Sequence, residues 1–510
     1  MQLIAPDRNL IVAAGSGLLL AAAFPRPDLF PLAWVALVPL LLVMRHRPYA
    51  SGLTAGAVFF ATVLYWLNFV MTTYGGLQPV FSLLAYLFLI IYLAFYFGLA
   101  TWLACRLETV LKLPYLLTLP PLWVALEYLR GTLFTGFPWA IIGYSQQNFS
   151  LAIQSSDVTG VYGVSLMLVA VNCAIAGIIA TPKSRLAWLG VAATVMISIS
   201  HFGYGVWREA QPLDQRTEQL QVALIQGNID QGQKWAPENR QFSIDRYRSL
   251  SVQALETQPD LVIWPEAATP FFLQDQSELA MQVKQLPGQL NASLLVGSPA
   301  YRQLSSDEYQ YYNSAFLLSP AGEELGRSDK IHLVPFGEYV PLGRLLAFID
   351  KLVVGVGDFS PGQVRPLPLN GHHLGVLICY EAIFPPLARE YVRQGSHFLV
   401  NLTNDAWFGH SSAPYQHLAM TRFRAIENRI WIARAANTGI SALISPSGNI
   451  ALSSPIFEPL QLSGLVGLGA EATFYTQFGD IFAYVCLGIS GVFLVILFLR
   501  RQQVSKGSSS

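Results

Sequence analysis

The sequence predicts an α-helical membrane bundle of about eight transmembrane helices joined to a water-soluble domain of the α/β class. Only 12% of the 510 residues are Asp, Glu, Lys or Arg, which is about half the share usual in soluble proteins. Apolar residues dominate positions 10–206 and 478–499, whereas positions 209–465 have the composition of a soluble protein. The formal net charge is zero and the sequence has no polybasic block, so composition gives no reason to expect a nucleic-acid partner.

The membrane part is predicted from apolar stretches of about the length that crosses a bilayer. A hydrocarbon core of about 30 Å needs roughly 20 apolar residues in a helix. The candidate spans are residues 9–24, 30–44, 51–71, 79–104, 114–134, 161–180, 186–207 and 478–499. The first is short and ends in LAAAF, which leaves a cleaved signal peptide as an alternative. The predicted domains are residues 1–210 with the first spans, 211–465 as the soluble domain, and 466–510 with the last span and a tail.

Positive charges predict the orientation of these spans, because short cytoplasmic loops retain Lys and Arg. Basic residues follow every second span: Arg45 and Arg47, Arg106 and Lys112, Lys183 and Arg185, and Arg500, Arg501 and Lys506. The intervening links, such as TTYGGLQP (72–79), are nearly uncharged. The pattern predicts a multi-pass membrane protein, with both termini in the cytoplasm and the soluble domain on the outer side of the membrane.

Two charges lie inside the fifth predicted span. Glu127 and Arg130 are three residues apart and so share one helical face, in a medium where an isolated charge costs about 2.5–3.5 kcal/mol or more. Two interpretations follow. The residues form a structural pair, or they contact a lipid headgroup near the outer surface.

In the soluble domain, strand-like runs alternate with helical stretches. The runs are LQVALIQGNI, DLVIWPEAA, ASLLVGSPAY, NSAFLLSP, HHLGVLICYEA, HFLVNLTND and ISALISPSG. They are continuously apolar, which predicts strands covered on both faces. Helices are predicted over residues 238–256, 385–395 and 415–436. We therefore expect a layered α/β domain whose loops project functional side chains from the strand ends.

A single cysteine lies in this domain, within GVLICYEAIF (375–384). The other three, Cys105, Cys173 and Cys486, lie within or at the edge of predicted spans. Cys379 therefore has no disulfide partner in its own domain. The sequence has neither an HExxH motif nor paired cysteines, so no metal site is predicted. Cys379 is either an inert buried residue or a nucleophile.

A nucleophilic thiol needs a proton acceptor and a group that stabilises the oxyanion. Histidine is the usual acceptor. His372 and His373 are predicted to begin the strand that ends at Cys379, roughly 20 Å from the thiol and out of its reach. His397 and His417 stay open as partners in a Cys-His arrangement.

A carboxylate and an amine form the competing set. Glu266 follows the apolar run LVIWP, and Lys330 opens KIHLVPFGEYVP, with Glu338 eight residues later. Each residue alone would be an ordinary loop charge. All three of Glu266, Lys330 and Cys379 lie at predicted strand ends, where side chains can meet in one cleft.

These segments resemble the three signature motifs of the nitrilase, or carbon-nitrogen hydrolase, superfamily. The motifs are VIWPEAA around Glu266, DKIHLVPFGEYVP around Lys330 and VLICYEAIFP around Cys379, supported by QGNIDQGQKW (226–235), YYNSAF (311–316), NLTNDAWFG (401–409) and AANTGISALISPSG (435–448). With seven spans before this domain, one after it and GFPWAIIGYSQ (136–146) in an outer loop, nearly the whole chain resembles the apolipoprotein N-acyltransferase family.

The resemblance implies a nitrilase-like αββα sandwich with a Glu-Lys-Cys triad. It makes Glu266 the general base for Cys379. Lys330 then favours the thiolate and, with the backbone N–H of Tyr380, stabilises the oxyanion, while Glu338 orients Lys330. Trp235, Tyr380 and Glu381 match positions that the family uses around the acyl intermediate or its acceptor; for Trp235, aromatic packing is the alternative.

The resemblance also implies a two-step acyl transfer without a cofactor. The acyl donor is a membrane glycerophospholipid, typically phosphatidylethanolamine, and the acceptor is the N-terminal amine of a diacylglyceryl-cysteine lipoprotein. A monomer is expected, located in the bacterial inner membrane with its catalytic domain in the periplasm. Two alternatives stay open: a membrane-anchored amidase that hydrolyses a small amide, and an inactive membrane scaffold.

A further apolar segment, LGRLLAFIDKLVVGVGDF (342–359), follows the Lys330 motif. It is predicted either to pack in the core or against another subunit, or to dip into the outer leaflet as interfacial segments do.

Overall fold

The computed structural model describes residues 7–211, 218–335, 337–339 and 359–507. The chain divides into two compact units. The helical unit comprises Met1–Tyr65, Val80–Gln211 and Phe478–Ser510, and the sandwich unit comprises Trp66–Pro79 and Pro212–Gln477. Residues 342–358 of the apolar segment predicted to contact the bilayer lie outside the described residues.

Helices make up the part of the chain before the first strand. They are α1 (Arg8–Ala22), α2 (Val38–Val43), α3 (Pro48–Val63), α4 (Trp66–Thr73), α5 (Pro79–Leu111), α6 (Tyr115–Thr132), α7 (Ser150–Ile153), α8 (Ser156–Thr159), α9 (Val161–Ala180) and α10 (Arg185–Glu209). All except α4 belong to the helical unit, which also contains the last helix of the chain.

Among the described residues, four helices are long and apolar enough to cross a membrane, or up to five if the bent pair α3 and α4 is one span. The four are α5, α9, α10 and Ile481–Arg500 of the last helix. The predicted spans over residues 9–24 and 30–44 correspond to shorter apolar helices. The second of these is interrupted: Phe30–Trp34 forms a 3₁₀ turn before α2 begins, because Pro31 and Pro39 each lie at a helix start and favour new helices over continuation of an old one.

The two charges in α6 hold a loop in place. The Glu127 carboxylate accepts a hydrogen bond from the Ile142 backbone N–H at 2.9 Å. The Arg130 guanidinium donates to the carbonyls of Phe137 at 3.0 Å and Trp139 at 2.7 Å. Both side chains are buried. One Glu127 oxygen and the Arg130 guanidinium are thus bonded within the protein, which favours the structural interpretation over contact with a lipid headgroup.

Among the described residues of the sandwich unit, twelve strands form two six-stranded sheets. The strands are β1 (Gln219–Gln226), β2 (Leu261–Ile263), β3 (Ser293–Gln303), β4 (Tyr309–Leu318), β5 (Glu324–Asp329), β6 (Leu367–Leu369), β7 (His372–Ile378), β8 (Phe398–Thr403), β9 (Ile432–Ala436), β10 (Ala442–Ile444), β11 (Ile450–Ser453) and β12 (Leu460–Gly467). The first sheet has the order β12-β1-β2-β3-β4-β5 and the second β11-β10-β9-β8-β7-β6. In each sheet the three parallel strands, β1 to β3 and β7 to β9, lie inside antiparallel ones.

The sheets are covered on both faces, as the continuous apolar runs predict. One buried cluster joins the inner faces of the two sheets and includes Leu224, Ile263, Val376 and Val400. The outer face of each sheet packs against helices. These are α11 (Arg240–Gln253) and α12 (Glu278–Leu290) on the first sheet, and α13 (Pro385–Arg393) and α14 (Ala413–Asn428) on the second. The four layers form the αββα sandwich. The remaining helices are α15 (Phe474–Phe478) and α16 (Ile481–Gly507).

The helix predicted over residues 415–436 is wrong at its C-terminal end. Helix α14 ends at Asn428, and Arg429 adopts a left-handed backbone with φ of 44°. Ile432–Ala436 then forms strand β9, paired between β8 and β10. The local sequence IARAA suits a helix, but the pairing of both strand edges and full burial override that preference.

Helix α4 packs within the sandwich unit although it precedes β1 by more than a hundred residues. The Trp66 indole donates to the Gln416 side chain at 3.3 Å and meets the Phe408 ring edge-on. The Tyr74 hydroxyl, just after the helix, donates to the Ala406 carbonyl at 3.2 Å. Two of these partners, Ala406 and Phe408, lie on the 3₁₀ turn Asp405–Phe408 that follows β8, and Gln416 lies in the later helix α14.

Candidate active site

Cys379 lies directly after β7, at the carboxyl end of the parallel strands of the second sheet. Ile378 pairs with Leu402 of β8, so Cys379 lies beside Thr403 at the ends of two neighbouring strands. The Cys379 backbone is left-handed, with φ of 53°, a conformation that a non-glycine residue rarely adopts and that concentrates at functional sites. A sharp turn at the strand end thus presents the thiol.

Lys330 follows β5 and is the centre of a buried charge cluster. Its Nζ lies 2.9 Å from Glu338 Oε1 and 3.5 Å from Glu266 Oε1. All three side chains are at least nine-tenths buried. The structure therefore brings Glu266 next to Lys330 and Glu338, which follow it in the sequence by 64 and 72 residues.

Asn313 joins the two carboxylates. Its Nδ2 donates to Glu266 Oε1 at 2.8 Å and to Glu338 Oε1 at 2.9 Å. The second oxygen of Glu338 accepts from the Val334 N–H, also at 2.9 Å. Buried carboxylates need such donors. The amide and the ammonium together hold both acids at fixed distances from Lys330.

The turn after β2 positions Glu266. Glu266 Oε2 accepts from the backbone N–H of Asn404 at 3.0 Å, and the Glu266 carbonyl lies 3.3 Å from Nζ of the buried Lys234. Burial lowers the pKa of Lys234 to about 8, although Glu266 opposes this shift. Gly297 of β3 allows this turn to lie close to the β3 backbone, because a Cβ at Gly297 would lie only 2.2 Å from the Pro265 carbonyl oxygen.

Replacing Gly297 by Ala is expected to displace Glu266. The new Cβ would also lie 2.8 Å from Glu266 Cα, so the backbone must shift, at a cost of about 1–3 kcal/mol in stability. We expect acylation of Cys379 to slow by at least about tenfold, since a displacement near 1 Å can cost about a hundredfold. Thermal unfolding and the rate of acyl-enzyme formation check both effects.

The matched control is Gly288→Ala in α12, where the nearest atom to the added Cβ would be 3.5 Å away. This change should leave the acylation rate unaltered. If both variants acylate as fast as the unmodified protein, Gly297 has no part in positioning Glu266.

The pKa of the Cys379 thiol and the pKa of the Lys330 amine are shifted by different causes. Burial raises the pKa of Cys379, and Glu266 raises it further; Lys330 and a hydrogen bond with Thr403 oppose the shift. Burial alone would lower the pKa of Lys330, but Glu338 and Glu266 raise it above its ordinary value. Lys330 thus remains protonated while the resting thiol keeps its proton. Attack by this thiol requires a base that removes the proton at the moment of reaction.

The structure gives the histidines other roles than that base. His372 begins β7, as predicted, and its Nε2 lies 2.8 Å from Glu218. His397 Nδ1 accepts from the His373 N–H at 3.1 Å, at the opposite end of the strand from Cys379. His417 does reach Cys379, but its Nε2 lies 3.1 Å from the Cys379 carbonyl oxygen. Its contact is with the backbone of the nucleophile.

Glu381 is a buried structural anchor between the Cys379 and Lys330 segments. Its Oε1 accepts from the backbone N–H groups of Ile331 at 2.5 Å and His332 at 2.9 Å, and its Oε2 accepts from that of Ile378 at 2.6 Å. Burial raises the pKa of Glu381 to about 7 in spite of these donors. The carboxylate therefore links the last residue of β7, just before Cys379, to the two residues that follow Lys330.

Tyr380 packs against aromatic side chains, whereas Trp235 has a polar atom that is not hydrogen-bonded within the described part of the chain. The Tyr380 ring meets Phe384 edge-on at 5.0 Å and lies 5.9 Å from the His332 ring. Trp235 is half-buried, and its buried indole N–H has no hydrogen-bond partner among the described residues. Its side chain thus keeps one donor available.

Four polar residues of the cluster are absent from the sequence-based set. They are Asn313, Asn404, Lys234 and Gln231, which accepts from the Asn404 amide at 2.5 Å. A signal exists for Asn313, the one amide in the apolar strand end NSAFLL. A buried strand rarely contains an amide without a partner.

Comparison with known proteins covers both units. Residues 16–174 match the family model described as apolipoprotein N-acyltransferase N-terminal domain, and residues 221–461 match the carbon-nitrogen hydrolase model. A Geobacter metallireducens protein named apolipoprotein N-acyltransferase is 44% identical over 506 residues, which cover 97% of this chain and 96% of that protein. The chain belongs to the apolipoprotein N-acyltransferase family.

A second relative supports the same family over the full length. The apolipoprotein N-acyltransferase of Methylococcus capsulatus is 35% identical over 518 residues, covering 97% of each chain. The match to the N-acyltransferase family thus includes the apolar helices as well as the sandwich that holds Cys379, and the chain is a membrane protein.

Proposed function

We propose that this protein is an apolipoprotein N-acyltransferase, which moves a fatty acyl chain from a membrane glycerophospholipid to the N-terminal amine of a lipoprotein. The observation that carries the proposal is the match to relatives of that name across 97% of the chain. An amidase acting on a small soluble amide would leave the matched apolar helices without a use. An inactive scaffold would have no need for the compensated charge cluster of Glu266, Lys330 and Glu338.

In the first half-reaction, Cys379 Sγ attacks the ester carbonyl carbon while Glu266 takes the thiol proton. Lys330 and the backbone N–H of Tyr380 stabilise the oxyanion. The ester C–O bond then breaks, Glu266 returns the proton to the departing oxygen, and a lysophospholipid leaves. The acyl chain remains on Cys379 as a thioester. Glu338, 2.9 Å from Lys330 Nζ, keeps the amine charged and oriented.

In the second half-reaction, the α-amine of diacylglyceryl-cysteine attacks the thioester. Glu266 accepts a proton from the amine, the C–S bond breaks, and Glu266 returns the proton to the departing sulfur, which restores the thiol of Cys379. An ester is exchanged for an amide, which is downhill, so no nucleotide is consumed. Phosphatidylethanolamine, through its sn-1 chain, is the proposed donor, and the enzyme acts as a monomer. Trp235 and Tyr380 line the path of the acyl chain or its acceptor.

The proposed topology has eight spans, with seven in residues 1–210 and one in residues 466–510. The catalytic domain, residues 211–465, lies in the periplasm and both termini lie in the cytoplasm. Support comes from the basic residues after every second span, such as Arg45, Arg106 and Lys183, because cytoplasmic loops retain such charges.

The test is mass spectrometry of the full-length protein after incubation with phosphatidylethanolamine vesicles. We expect a fatty-acyl adduct on Cys379 that hydroxylamine removes and that disappears when a diacylated lipopeptide is added. Cys379→Ala should carry no adduct. Ammonia release from small amides without any lipid-derived adduct would instead identify an amidase.

A further inference from the structure

A buried polar network lies behind the nucleophile, on the side of its carbonyl group. Besides the 3.1 Å contact from His417 Nε2, the Cys379 carbonyl oxygen lies 3.4 Å from the Asn401 amide nitrogen. A hydrogen bond from an imidazole to a carbonyl oxygen requires a proton on that ring nitrogen. Two side-chain donors therefore converge on one backbone oxygen.

His417 is itself fixed from behind. Its Nδ1 lies 3.1 Å from Asp405 Oδ1 and 3.1 Å from Nη2 of Arg434. The same Arg434 nitrogen donates to Asp405 Oδ2 at 2.7 Å, and another guanidinium nitrogen donates to the Asn401 side-chain oxygen. Thr403 donates to Asp405 Oδ1 at 3.0 Å. Every member of the set is buried, so water does not compete for these contacts.

Anchoring of the Cys379 carbonyl oxygen affects the reaction through the peptide bond between Cys379 and Tyr380. The unit that carries the Cys379 C=O also carries the Tyr380 N–H, and a trans peptide is planar with these two groups pointing in opposite directions. Fixing the oxygen therefore fixes the direction of the N–H. The left-handed φ of 53° at Cys379 is a costly conformation that the surroundings must hold.

We propose that His417, held by Asp405 and Arg434, is a positioning residue that orients the Tyr380 N–H toward the oxyanion by anchoring the Cys379 carbonyl. The inference rests on the proposed acyl transfer and adds a residue that touches neither the thiol proton nor the substrate. Asn401 supports the same carbonyl from β8.

Two reactions of Cys379 separate this role from that of a base. Attack on an ester forms an oxyanion, whereas alkylation by iodoacetamide does not. For His417→Phe in the full-length protein, we expect acylation by a soluble p-nitrophenyl ester to slow by at least about 100-fold, the size of effect seen when one oxyanion donor is lost. Alkylation should change by less than about threefold, because the thiol and its base are unaltered.

His417→Gln tests the donor directly, because its amide can still donate to the carbonyl; it should acylate within about tenfold of the unmodified protein. His373→Phe is the matched control. His373 is exposed near the start of β7, the strand that leads to Cys379, so this change should leave both rates unaltered. Equal loss of acylation and alkylation in both His417 variants would overturn the proposal, as would unaltered acylation in His417→Phe. Ester acylation with no transfer to a lipopeptide would overturn the proposed function instead.

Discussion

Replacing Glu266 by Gln is expected to slow acylation of Cys379 by roughly 10²–10⁴-fold, the usual contribution of a general base. The amide cannot accept the thiol proton, and burial keeps that proton in place because it raises the pKa of the thiol. The amide oxygen can still accept the hydrogen bond that Asn404 donates, so the fold should persist. Single-turnover acylation by a soluble ester, followed by mass spectrometry, measures the effect.

A matched control is Glu324→Gln on the exposed start of β5, which should acylate normally. If Glu266→Gln acylates within about threefold of the unmodified protein, the proton goes elsewhere and Glu266 is not the base.

Replacing Lys330 by Met should destabilise the protein as well as abolish acylation. The change leaves Glu266 and Glu338 buried around an uncharged side chain, and removal of one partner of a buried ion pair typically costs about 3–5 kcal/mol. Thermal unfolding of the detergent-solubilised protein should therefore shift to lower temperature. Arg393→Met, which breaks an exposed pair with Glu390, should cost no more than about 1 kcal/mol.

A second change distinguishes the two consequences of losing Lys330. Adding Glu338→Gln to Lys330→Met removes one of the surplus negative charges, so part of the stability should return. Acylation should not return, because no cation faces the oxyanion. If the double variant is no more stable than Lys330→Met, then Lys330 does not stabilise the fold mainly by compensating the negative charges of these carboxylates.

The strand ends of the site follow directly from the sequence, whereas the contacts across them do not. Buried strands produce continuous apolar runs, and a charge after such a run marks a loop at the sheet edge, which is why Glu266, Lys330 and Cys379 are recognisable. Asn313 and Glu381 act through atoms of segments distant in the sequence. Only the packing of the sheets determines which partners they meet.

His417 illustrates the same limit. The sequence indicates that His417 and Cys379 share a domain. It does not indicate that the ring contacts the carbonyl oxygen of Cys379 rather than the thiol, because that contact depends on how α14 packs against the sheet. The prediction of a helix as far as residue 436 is wrong for a related reason: the helix ends at Asn428, because pairing with two neighbouring strands outweighs the helical preference of IARAA.

The position of α4 has a consequence for biosynthesis. The chain passes between the two units four times, so the sandwich unit is not one uninterrupted stretch of the chain. Tyr74 leaves the ribosome 332 residues before its partner Ala406. At about 5–20 residues per second this interval lasts roughly 20–70 s. The ribosome thus delivers α4 long before the turn Asp405–Phe408 that it contacts, and assembly of the sandwich unit is completed only after most of the chain has been made.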